Sequence, residues 1–168
     1  SGNSAMTLQG SDMIVTGRLS SGKATTTIKA CAGSAMKLGG NTSSVGDLVL
    51  DGVELSRVSS TGLLLESPAG TITVSSVSSS ETSSLTDYVL LNASASGSVL
   101  FSGSSAFVPA VKAYAGNGIV VNGSVSSEGS VVLEGAWSGV SALNRTYALD
   151  VVGDDASSHV SSVKGSVL

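Results

Sequence analysis

Residues Gly118–Gly135 read GIVVNGSVSSEGSVVLEG and carry one short pattern twice: three apolar residues, a polar residue, then Gly. The copies are Ile119-Val120-Val121-Asn122-Gly123 and Val131-Val132-Leu133-Glu134-Gly135. Each triplet is β-branched or Leu, which suits a short strand, and each Gly permits a sharp corner. Near-copies lie upstream at Leu48–Gly52, Leu63–Ser67, Val89–Ala93 and Val99–Gly103. A unit repeated this often sets the architecture before any single residue does.

The spacing says how the units stack. Leu48, Ile72, Val99 and Ile119 form one series, and Leu63, Val89, Val111 and Val131 another, each with a period of about 22 residues. Two interleaved series of this kind predict an all-β solenoid, a parallel β-helix in which successive coils pair at about 4.8 Å. Over residues 1–168 that gives one module of about seven or eight coils, about 35 Å long. Valine, leucine and isoleucine would fill its interior and Ser and Thr its outside. A β-sandwich of pilin type is the alternative, since it also gives short strands and closely spaced turns.

Away from the repeat, Ala5–Gly10, Met13–Gly17, Thr25–Ala30 and Ala35–Gly40 read as strand-plus-Gly units. Val53–Val58 alternates with period two and reads as a strand. Ser75–Ser84 is Ser-rich and reads as an excursion loop, while Phe107–Ala115 reads as strand around Pro109. No helical periodicity exceeds two turns.

Composition narrows the classes. Charged residues make up 12% and apolar residues 41%, and mean hydropathy is +0.36, yet Ser, Thr or Gly interrupts every apolar run well short of a membrane span. A net charge of −4 argues against nucleic acid as partner. The lone Cys31 excludes an intramolecular disulfide and reads as a small packing residue. Ser1 opens the sequence without a Met, and the closing residues read as a strand in progress, so the sequence looks like a segment or processed unit of something longer.

Four Asn-x-Ser/Thr sequons occur, at Asn41, Asn92, Asn122 and Asn144, all at predicted corners or loops, and N-linked glycans are the modification they suggest. The opposing reading is that Asn, Ser and Thr are common enough here for sequons to arise by chance. Candidate chemistry is thin. Asp154-Asp155 is a weak Ca²⁺ candidate, because two adjacent carboxylates do not make a six-to-eight-oxygen cage. Asp47, Asp51 and Glu54 could line one face as in a polysaccharide-cleaving groove, but the sequence has few aromatic sugar platforms. His159 lies in a Ser-rich tail without a partner motif, and Trp137 reads as a cap or core residue. No catalytic residue and no cofactor are expected.

From Asp51–Val58 through Gly62–Leu65, Gly70–Val74, Val89–Ala93, Val99–Ser102 and Ala115–Val121, the sequence resembles the repeats of giant extracellular β-strand-repeat proteins related to filamentous haemagglutinin. The resemblance covers residues 47–135 best. It implies a right-handed parallel β-helix, secretion, and a place in surface fibres, adhesion or cell covering; it carries over no catalytic residue. The expectation is therefore a glycosylated cell-surface filament subunit that self-associates end to end, or stands in tandem copies within one chain. The alternatives are a pilin-like subunit that donates a terminal strand, a carbohydrate-binding adhesin and a polysaccharide-active β-helix enzyme.

Overall fold

The computed structural model describes residues 3–40, 46–68, 70–93 and 96–135. Of these, 50% are strand and 7% helix, so the chain is predominantly β. Every strand pairing among them is parallel. The antiparallel pairs of a pilin-type sandwich are absent among the described residues.

The longest sheet runs in chain order through β1 (Met6–Gly10), β3 (Thr25–Ala30), β6 (Val58–Glu66), β8 (Leu85–Ala93), β11 (Ala110–Ala115) and β14 (Val131–Gly135), with β2 (Leu19–Ser20) set against the start of β6. A second sheet has the order β12 (Ile119–Val121), β9 (Val99–Phe101), β7 (Ile72–Val74), β4 (Met36–Leu38) and β5 (Leu48–Leu50). A third stack is part helical: α1 (Gly52–Ser56) packs on α2 (Ser79–Thr82), α2 on β10 (Ser105–Phe107), and β10 pairs with β13 (Val125–Ser127).

Register aligns like with like. On the long sheet Met6, Thr26, Leu63, Val89, Val111 and Val131 are successive partners, and so are Leu8, Ile28, Leu65, Leu91, Ala113 and Leu133. On the second sheet Leu48, Met36, Ile72, Val99 and Ile119 follow one another, then Leu50, Leu38, Val74, Phe101 and Val121. The inner members of all four columns are fully buried, and all but Thr26 belong to one apolar core. Alternation of strand side chains sends the intervening residues to the outside.

Several expectations are corrected. The series Leu63, Val89, Val111, Val131 is the observed register, but Leu48 does not neighbour Ile72, because β4 lies between them. The chain leaves β4, comes back to lie on its outer side as β5, and only then goes on to β6. That detour lengthens the step from Thr26 to Leu63 and breaks the even period. Val53–Val58 is mostly helix, because Asp51 caps α1 and Glu54 completes a capping box. The Ser75–Ser84 stretch holds α2, where the Glu81 carboxylate accepts from the Ser78 amide at 2.9 Å, as Glu54 does from the Asp51 amide. Met13–Gly17 forms no strand, and Phe107–Ala115 is two strands, β10 and β11, split at Val108-Pro109. The longest sheet is six strands deep along its main path, and any further coils of the seven or eight expected lie outside the described residues.

Candidate functional site

Three features bear on function: the end of the stack at β1 and β5, the sequon corners, and the outward face of the long sheet.

Among the described residues, β1 and β5 each pair on one side only. They form the same end, since β1 lies beyond β3 and β5 beyond β4, the strand that follows β3. Met6 and Leu8 of β1 are half-buried, whereas Leu63, Val89 and Val111 deeper in the Met6 column have no exposed surface. At the opposite end Ile119, Val121 and Leu133 are likewise partly buried. Leu48 and Leu50 of β5, by contrast, are fully buried, so at this end only the β1 columns finish in partly covered apolar side chains.

At the corner after the second sheet, each layer hooks onto the one before. The Ser75, Ser102 and Asn122 amides donate to the Leu38, Val74 and Phe101 carbonyls at 2.8 Å each, and the Ser75 and Ser102 hydroxyls meet at 2.6 Å. Asn122 ends this row and is exposed. Gly123 beside it is required sterically, as a Cβ there would lie 2.6 Å from the Gly103 carbonyl carbon. Asn92 is not at a corner. It stands in β8, half-buried, with Glu66 and Tyr114 as its register partners on either side. Asn41, Asn144, Asp154, Asp155, Trp137 and His159 lie outside the described residues.

Asp47, Asp51 and Glu54 each have a structural partner. Asp47 pairs with Lys37 at 3.2 Å. Asp51 Oδ1 accepts from the Glu54 amide at 2.8 Å. Glu54 is buried, with Oε1 accepting from the Val15 amide at 2.9 Å and Oε2 from the Asp51 amide at 3.1 Å. Arg57 Nη1 donates to the Val15 carbonyl at 2.5 Å, so Glu54 and Arg57 grip both sides of one residue in the strandless segment before β2. No group of three or more metal-ligating side chains occurs among the described residues. No helix among them is long and apolar enough to cross a membrane. Cys31 is free and half-buried.

The outward face of the long sheet went unread in the sequence. Gln9, Lys29, Glu66, Asn92, Tyr114 and Glu134 are successive register partners and make one polar column. Beside it runs a column of Thr7, Thr27, Leu64, Leu90, Lys112 and Val132. Lys29 pairs with Glu66 at 3.5 Å. The Tyr88 ring covers Gly62, where a Cβ would come within 2.3 Å of it; its hydroxyl is 3.1 Å from Thr25 Oγ1, and Lys112 Nζ is 5.5 Å from the ring centre. The clue was the period: Lys29, Glu66, Asn92, Tyr114 and Glu134 each follow an inward apolar residue at one repeated position.

Comparison with protein-family models, with curated proteins and with solved structures found no match to this chain.

Proposed function

We propose that the three stacks are the faces of a right-handed parallel β-helix, and that the chain is a structural module of a glycosylated extracellular filament, like the haemagglutinin-related repeat proteins its sequence resembles. Right-handedness follows from the strong bias of parallel crossovers, about 98% of which take that hand. The observation carrying the filament reading is the incomplete burial of Met6 and Leu8 on a strand paired on one side only. Covering such an edge with another parallel layer, from a second copy or a tandem neighbour, buries those side chains and pairs the backbone. Asn122, exposed at a corner, is the described sequon best placed to carry a glycan, and Asn41, Asn92 and Asn144 are further acceptors by sequence. The proposal includes no catalysis, in keeping with the structural tasks of Asp47, Asp51 and Glu54.

Electron microscopy of the purified chain tests this. Unbranched fibres with an axial repeat of about 35 Å, some seven layers at about 4.8 Å each, are expected. Monodisperse single particles at every concentration would overturn the self-assembling form.

A further inference from the structure

We propose that the outward face of the long sheet binds a neutral linear polysaccharide lying along the stack, across the strands. This goes beyond the filament proposal and touches it at one point, since it requires Asn92 to be without a glycan.

The chain divides its few described aromatic side chains between the core and one outward face. Of the described aromatics, Phe101 and Phe107 are core, while Tyr88 and Tyr114 both stand on this one outward face. Tyr114 is 37% exposed, among the few large side chains with apolar surface left so open. Around it the polar column offers hydrogen-bonding groups of every kind: the Lys29 ammonium, the Glu66 and Glu134 carboxylates, the Asn92 amide and the Tyr114 hydroxyl. The neighbouring column offers aliphatic surface at Leu64, Leu90 and, beyond Lys112, Val132. Apolar surface edged by donors and acceptors is the complement of a sugar ring, which has C–H faces and hydroxyl edges.

Shape and charge narrow the class. Parallel register sets the columns straight, one residue per layer at about 4.8 Å, a regular row suited to a polymer with a repeating unit. Lys29 and Lys112 balance Glu66 and Glu134, so the two columns carry no net charge to recruit an acidic polymer. The face is also held in place before any ligand arrives. Tyr88 is fixed by Thr25 and Gly62, Lys112 lies over its ring, and Lys29 is tied to Glu66. Prior ordering lowers the entropy lost on binding. A glycan on Asn92 would lie across this surface, so the face is open only on chains left unmodified there.

The test uses the 168-residue chain made without glycosylation, in co-sedimentation with microcrystalline cellulose, chitin and insoluble mannan, and with alginate gel as the acidic control. With the amount of chain that sediments alone subtracted, retention on at least one neutral polymer and none on alginate is expected. Tyr114→Ala and, separately, Asn92→Ala should each weaken retention about tenfold or more, the loss of one good contact. Val120→Ser, outward on the second sheet, should leave it unchanged, and circular dichroism checks the fold of each variant. Absence of retention on all three neutral polymers overturns the proposal. Unchanged retention by both folded variants, or salt-sensitive retention on alginate equal to that on the neutral polymers, overturns it too.

Discussion

Gly123 and Gly17 show how differently two glycines of one chain are constrained. At Gly123 a Cβ would meet backbone, the Gly103 carbonyl carbon at 2.6 Å and Ser104 N at 2.8 Å, and backbone in a stacked corner cannot swing aside. At Gly17 nothing lies within 4 Å of that position, and its φ is outside the left-handed range. Gly123→Ala should therefore destabilise by about 1–3 kcal/mol, the usual cost of overpacking. Gly17→Ala should be neutral or stabilise by up to about 1 kcal/mol, by narrowing the unfolded ensemble. Urea midpoints of the two variants check the contrast, and equal shifts would show that corner stacking does not constrain Gly123. This residue also shows what the sequence made legible. The Asn-Gly pair marked a corner correctly, because turn chemistry is local. Asn92 precedes Ala rather than Gly and stayed within a strand, since ladder pairing with Glu66 and Tyr114 outweighs a turn preference that no glycine supports.

Among the elements, α1 is where local chemistry overrode the apparent strand pattern. Val53-Glu54-Leu55-Ser56 alternates in hydropathy, but Asp51 three residues before Glu54 makes a reciprocal cap that satisfies two backbone donors. The same spacing at Ser78 and Glu81 gives α2, and α1 stacks on it closely enough that Gly52 has no room for a side chain beside the Glu81 carboxylate. The pair was readable as a repeated acidic cap, D-x-x-E and S-x-x-E; the return of β5 to β4 was not, because it depends on which sheet edge is vacant. Glu54 does more than cap, since its other oxygen holds the Val15 amide. Glu54→Ala leaves that buried amide and the Asp51 amide without their acceptor, and should cost about 1–3 kcal/mol. Amide exchange at Val15 should accelerate well beyond the change at Leu65 in the middle of the long sheet. Equal acceleration at both positions would mean the clasp has no local role and only global stability fell.

At the scale of the whole stack, the assembly proposed above would be decided at the ends of the described strands. A stack that does not close into a barrel finishes in strands that still have an edge to offer. β5 softens the problem at one end: three residues long, folded back against β4, it covers Met36 and Leu38 and presents only a short edge of its own. β1 is longer, uncharged, and keeps Met6 and Leu8 half-covered, so of the two it is the edge that the proposed assembly would use. Edge strands are commonly protected from pairing by lysine. Thr7 is exposed and faces away from the core, with Thr27 as its partner on β3, so Thr7→Lys adds a charge to this edge without entering the packed columns. If copies grow through β1, Thr7→Lys should lower the sedimenting polymer fraction severalfold at low salt and recover part of it at high salt, as screening shortens the reach of the repulsion. Its urea midpoint should stay within about 0.5 kcal/mol of the parent, as for most surface changes. Polymers that form equally well with the lysine in place would move the growing end away from β1. Filament contacts would then have to come from the β12–β14 end or from a side of the stack.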